Sequence, residues 1–285
     1  RYPTTSAVSG WEQVVEDKNL HAVAIATPPQ THYEIARAAL ESGKHVLIEK
    51  PMALESAHCR ELIKIAKKSG LVLMVDHIYV YVSPIRKIRD MVVSGELGDL
   101  CYYDSVRINL GLFQSHVNVL WDLGPHDLSI LDYIVGGLDV TDVSAAGNRL
   151  PGMEHEYQVY LNLKLRSGMM ANIHLNWLSP VKVRKIIIAG RNLMTVFDET
   201  DPAEQLKIYD KGYTTESAEE RYRALGTYRL GNMQAPHMDG VEALQRVIQQ
   251  FVSAATDGKA PDASAEQGLR VVEVLEKAQK LLENK

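Results

Sequence analysis

Glu49, Lys50 and Pro51 end an apolar run, Val46-Leu47-Ile48, and are the residues of this chain best placed for chemistry. Proline lacks an N–H and fixes its own φ, so it stops the strand and leaves an acid and a base where strand gives way to loop. In an open α/β sheet that transition is where ligands bind. A lysine there can stabilise alkoxide character on a reacting hydroxyl or polarise a carbonyl. The competing reading is an exposed lysine in a solvated loop, with Glu49 paired to a neighbouring cation. A second apolar run, residues 21–27, ends in Thr27-Pro28-Pro29-Gln30-Thr31-His32. Thr27 can simply finish that strand and His32 cap the next helix. Two strand ends carrying polar residues nevertheless point to one cleft.

A further cluster is Asn118-Val119-Leu120-Trp121-Asp122-Leu123-Gly124-Pro125-His126-Asp127. Histidine is the side chain best suited to proton transfer near neutral pH, and a carboxylate beside it can orient the ring or grip a substrate hydroxyl. On a near-helical backbone Asp122 and His126, four apart, share a face. Pro125 is tolerated only in a helix's first turn, so the regular helix is expected from near Gly124, with an earlier turn holding Asp122. Alternatively Asp122 caps a helix and His126 is structural. His77, at the end of an apolar run over 71–75, either lines the same cleft or packs as a structural histidine. Lys182 and Arg184 alternate on a strand and share a face, which is either a substrate-phosphate contact or a solvated surface. Asn176 and Trp177 contact a sugar, or Trp177 belongs to the core or to an interface. A zinc site of Asp122, His126 and His77 lacks a cysteine and a clean ligand spacing, so no metal is expected.

The elements that must position these residues fall into two regimes. Up to residue 75 helices (11–18, 32–42, 55–69) alternate with apolar strands (21–27, 45–48, 71–75). Gly43 and Gly70 close two of the helices, the second behind Lys67-Lys68. That alternation predicts right-handed βαβ units and a parallel sheet. After a helix over 85–94 and the turn Gly95-Glu96-Leu97-Gly98, strands dominate: 100–110, 157–166, 169–177, 183–189, 194–198 and 205–209. One helix near 117–135 interrupts them, and helices over 241–256 and 265–283 close the chain. The polar stretch 212–236 reads as a long surface loop or partner-contacting segment. The 285 residues are 46% hydrophobic with net charge −5, enough for a large core and without a basic field for nucleic acid. Apolar runs fall far short of a membrane span, and Cys59 and Cys101 lack metal spacing, so a cytoplasmic protein with reduced thiols is expected.

Thr27-Pro28 with His32, Gly43-Lys44-His45-Val46 running into Glu49-Lys50-Pro51, and Asp122-x-Gly124-x-His126 occur in this order in one known family. The chain resembles the Gfo/Idh/MocA oxidoreductases, the family of glucose–fructose oxidoreductase and inositol dehydrogenase, over nearly its whole length. Ser94-Gly95-Glu96-Leu97-Gly98 is similar to that family's domain junction. Asp257-Gly258 through Pro261, with Gly268-Leu269-Arg270-Val271-Val272, is similar to its C-terminal helix signature. Trp121 to Ser129 with Arg107-Ile108-Asn109-Leu110-Gly111 resembles members acting on sugars or nucleotide sugars.

The resemblance implies an α/β fold: an incomplete Rossmann-type parallel-sheet domain over 1–98, then an α+β domain over 99–285 with a large, mostly antiparallel sheet. It implies NAD or NADP as cofactor. Thr27, Pro28 and His32 would lie along the dinucleotide, Glu49 near the nicotinamide ribose, and Lys50 on the reacting oxygen. His126 would move the hydroxyl proton, and Asp122 would bind substrate or hold His126. His77, Arg107, Asn109, Asn118 and Lys182 are the expected substrate contacts. A homo-oligomer through the second-domain sheet is expected, with neither nucleic acid nor membrane as partner. None of the 19 glycines forms the G-x-G-x-x-G turn that opens the family, so the chain is expected to begin after the first β-α-β unit. As written it is then expected to bind dinucleotide weakly or not at all, and its exposed sheet edge to favour association. The expected activity is a sugar or nucleotide-sugar dehydrogenase or reductase. A non-catalytic sensing or scaffold protein on the same fold is the alternative.

Overall fold

The computed structural model describes residues 5–111, 113–214 and 227–283. The chain divides into two compact units, Arg1–Ile78 with Leu244–Glu273, and Tyr79–Ala243 with Val274–Lys285. This division differs from the expected boundary at 98/99 because of packing between segments distant in sequence. Arg89, after the expected parallel-sheet region, donates to the Ile134 carbonyl at 2.9 Å, which groups its helix with the second unit. Val75 N–H donates to the Ala263 carbonyl at 3.3 Å, which draws the late segment into the first.

The first unit holds a parallel sheet in the order β1 (Ala22–Ile25), β2 (His45–Glu49), β3 (Leu73–Asp76). Helix α1 (Trp11–Glu16) precedes it, and α2 (His32–Glu41) and α3 (Ser56–Ser69) connect the strands. α2 buries Ile35, Ala36, Ala39 and Leu40, the one apolar face its 3.6-residue period provides. α3 ends at Gly70 in the left-handed region, whose N–H reaches the carbonyls of Ala66 and Lys67. Only glycine adopts that conformation without strain. All four β3 residues are buried, as expected of a sheet covered on both faces.

The second unit is built on an eight-stranded sheet. Helix α4 (Ser83–Val93) is followed by β4 (Leu100–Leu110), α5 (Val119–Val135), β5 (Val140–Arg149), β6 (Glu156–Leu165), β7 (Met170–Asn176), β8 (Leu178–Gly190), β9 (Met194–Asp198), β10 (Leu206–Thr214) and β11 (Thr227–Gln234). Their spatial order is β11-β10-β9-β8-β4-β7-β6-β5, antiparallel except for the parallel pair β4–β7. Helices α6 (Ala243–Asp257) and α7 (Ala265–Glu283) end the chain. Among the described residues no helix is long and apolar enough to cross a membrane.

Two strands depart from the sequence expectation. β5 is a mostly exposed edge strand with a single buried residue, Ala145, so it carries no apolar alternation to read. β11 occupies part of the expected 212–236 loop; its strand state comes from pairing with β10, while 215–226 lie outside the described residues, as do 1–4. α5 also corrects an expectation: it runs unbroken through Pro125 from an Asn118 cap. Proline there removes one backbone hydrogen bond, and burial of thirteen residues of α5 outweighs that loss. The helix sits close on the sheet, since a Cβ at Gly124 would lie 3.5 Å from Leu175 Cδ1 of β7 and 3.2 Å from Leu275 Cδ2 of α7.

At the turn after β8, a Cβ on Gly190 would fall 2.1 Å from the Leu97 carbonyl oxygen. That neighbour is backbone, which cannot rotate away. Gly190→Ala is therefore expected to destabilise the protein by about 2 kcal/mol or more. The measurement is a lowered urea midpoint at unchanged slope.

Candidate active site

In the first unit the expected residues gather at the carboxyl ends of the parallel strands. Glu49 is the register partner of Asp76, so two carboxylates leave adjacent strand ends on the same face. Glu49 Oε2 accepts the Lys50 N–H at 3.2 Å, and the Lys50–Pro51 peptide is cis. His32 is fully buried, with Nε2 2.8 Å from the Thr27 carbonyl and Nδ1 2.8 Å from the Pro51 carbonyl. Both ring nitrogens are occupied by the protein. His32 thus ties the Thr27-Pro28 loop to the Lys50-Pro51 loop, rather than reaching a ligand itself.

Asp76 and His77 end this edge. Asp76 is 9% exposed, and its Oδ1 has no hydrogen-bond partner among the described residues. Burial, and then the Glu49 charge, push its carboxyl up to about 6. His77 is 1% exposed, and neither ring nitrogen finds a partner among the described residues. Burial, and then the Lys50 charge, push it down to about 3, so its imidazole is neutral at physiological pH. Sequence reading missed Asp76; the signal was its register opposite Glu49, which only strand pairing discloses. Buried acceptors without partners at strand ends fit the hydroxyl donors of a nucleotide's ribose.

In the second unit α5 presents Asp122 and His126 one turn apart, both half-buried. Asp122 Oδ2 accepts the Trp177 indole N–H at 3.1 Å. Trp177 is itself 2% exposed, which settles its place in the core. The His126 imidazole meets the Tyr79 ring edge to face, centroids 5.0 Å apart. Tyr79 and Glu199 are neighbours that sequence reading did not single out, because each looks like an ordinary turn residue until the sheet is assembled.

Several expected substrate contacts are instead occupied within the protein. Asn118 caps α5 by accepting the Trp121 N–H at 3.2 Å and donates to Glu156 at 2.7 Å and Gln279 at 2.9 Å. With its donors and its carbonyl all used, it anchors the helix. Arg107 is 2% exposed and pairs with Asp127 through Nε at 2.6 Å. Although burial alone would lower its pKa, Asp127 and Tyr79 hold it above its ordinary value. Asn109, two residues on, stays half-buried. Lys182 is exposed, whereas Arg184 pairs with Glu199 at 2.7 Å, so the two do not form a joint phosphate site.

The Asp76 carboxyl gives a pH prediction. Its pKa is about 6 in the folded state against an ordinary 3.8, so the folded protein binds the extra proton between those values. Its contribution to stability is therefore full at low pH and falls as pH rises through 6. Asp76→Asn is expected to raise stability above pH 6 by about 1 kcal/mol, with the gain shrinking toward pH 4. Urea midpoints across that range check it.

Comparison with known proteins adds the following. Residues 1–77 match the model described as "Oxidoreductase family, NAD-binding Rossmann fold", and residues 85–194 match "GFO/IDH/MocA C-terminal domain". The uncharacterized oxidoreductase YdgJ of Escherichia coli is 28% identical over 218 residues, 72% of this chain and 61% of that protein. The dTDP-3,4-didehydro-2,6-dideoxy-alpha-D-glucose 3-reductase of Streptomyces violaceoruber is 36% identical over 95 residues, 33% of this chain and 28% of that protein. The chain thus spans less than two thirds of these curated relatives. The structure of UDP-N-acetylglucosamine 3-dehydrogenase from Acidithiobacillus ferrooxidans superposes with a TM-score of 0.81 at 23% identity, covering 98% of this chain and 83% of that one.

Proposed function

The chain belongs to the Gfo/Idh/MocA family of oxidoreductases, with an NAD-binding Rossmann-type fold in its first part, and from that premise we propose that it oxidises or reduces a hydroxyl or keto carbon of a sugar or nucleotide sugar. The observation that carries this reading is the Asp122/His126 pair on one half-buried helical face, with Asp122 oriented by Trp177. A purely ligand-sensing protein has no use for a proton-transfer pair.

Bound NAD supplies the hydride chemistry. The chain's own residues bind, orient and move the proton. Thr27, Pro28 and Glu49 hold the dinucleotide, with His32 fixing their loops. His126 takes the hydroxyl proton on oxidation and returns it on reduction. Lys50 stabilises the alkoxide character that develops on a reacting oxygen. Asp122, its second oxygen directed by the indole, grips a substrate hydroxyl. The dTDP-sugar reductase supports the substrate class, being 36% identical over a third of this chain.

We assign the protein to the cytoplasm, where the buried Cys59 and the exposed Cys101 stay reduced. Its self-association surface is the sheet face turned away from α5, where Tyr160 stacks on His174 at 4.2 Å and Asn172 donates to Asn162 at 2.6 Å. Sedimentation velocity is expected to show an assembly larger than a monomer, and Tyr160→Lys to move it toward monomer.

Lys50→Ala and His126→Ala are each expected to lower kcat by about 100-fold or more. The assay is nicotinamide fluorescence with a panel of nucleotide sugars. Near-wild-type turnover in both variants would sink the reading.

A further inference from the structure

Tyr79 lies in the short 3₁₀ turn Ile78–Tyr81 and is 9% exposed. Its ring meets the His126 imidazole at an interplanar angle of 72°. Its hydroxyl has three charged neighbours. It donates to Glu199 Oε2 at 2.7 Å and accepts from Arg107 at 2.9 Å and from Arg184 at 3.1 Å. Each of these is held in turn. Arg107 is fixed by Asp127 at 2.6 Å, and its guanidinium lies over the Tyr79 ring at 4.4 Å. Arg184 is fixed by Glu199 at 2.7 Å, and Asp127 also accepts from Ser105. The phenol's single donor and both lone pairs are therefore used, so the ring has no freedom to swing.

Burial, outweighing the two guanidiniums, holds the Tyr79 hydroxyl above its ordinary pKa, so it remains the donor to Glu199. Arg107 and Arg184 oppose Asp127 and Glu199, two cations against two anions. The network consequently leaves no net charge beside the imidazole and supplies geometry more than field. An apolar residue would fill the same space without burying charges, and apolar replacement of buried ionic groups is often neutral or stabilising. Packing alone thus gives no reason for the arrangement.

We propose that Tyr79 is the positioning residue for His126: the clamped phenol fixes the plane of the imidazole that the helix presents for proton transfer. This rests on the reading of His126 as the proton-transfer group, and the test separates the two ideas. Histidine side-chain ¹⁵N NMR on the whole chain, with His126→Asn to assign the signals, reports the ring directly. Tyr79→Leu is expected to shift and broaden both His126 nitrogen signals as the ring gains freedom. Tyr79→Phe, which keeps the ring and loses only the clamp, moves them the same way by less, with native circular dichroism. In turnover, Tyr79→Leu lowers kcat by about 10-fold with KM little changed, the mark of misplacement rather than lost binding. Unmoved His126 signals in both folded variants overturn the proposal. Wild-type turnover in His126→Asn overturns the functional reading instead, while the NMR result still decides whether Tyr79 orients the ring.

Discussion

The buried ion pair of Arg107 and Asp127 is the interaction on which the second unit's candidate chemistry depends. Its side chains are only 3% and 1% exposed, so the protein bears the desolvation of both charges and recovers it through close geometry. Asp127 accepts from Arg107 and Ser105 on β4 and follows His126 directly on α5. The pair thereby ties α5 to β4 at the residue beside His126. Losing either partner would leave an uncompensated buried charge, a change worth about 3–5 kcal/mol.

The first unit relies on a different constraint, the register of its parallel strands. Pairing Ile48 with Val75 and Glu49 with Asp76 brings two acids side by side where the sheet ends. Burial, and then the Glu49 charge, raise Asp76, while the neighbouring His77 is driven the opposite way. Opposed shifts of neighbouring groups are characteristic of sites that handle protons and polar ligands. His32 completes the edge by spanning two backbone carbonyls, which makes loop geometry at Thr27 and Pro51 a single property.

Local sequence was a good guide wherever a pattern repeats on the scale of one element. The helices α2 and α3 with their terminal glycines, the buried strands β2 and β3, and strands β4, β6, β7 and β9 all follow from apolar period and turn residues. β5 and β11 did not show because their pairing, not their own residues, makes them strands. Pro125 misled because helix propensity is local, whereas the burial that keeps α5 whole is not. Asn118 and Arg107 looked like ligand contacts because polar residues beside a motif read that way; their partners, Glu156, Gln279 and Asp127, come from other elements.

The sequence by itself determined the class of the fold and the family, and it singled out Lys50, Asp122 and His126 as the candidates for chemistry, since these lie in short motifs whose spacing survives translation into strand ends and helix faces. Only tertiary structure decided which polar residues are already engaged and which remain unsatisfied. Asp76 beside Glu49, Tyr79 against His126, and the Arg107–Asp127 pair each join residues from different elements. The physical reason is that hydrogen-bond satisfaction and desolvation depend on neighbours in space, and a single chain read in order contains no record of them.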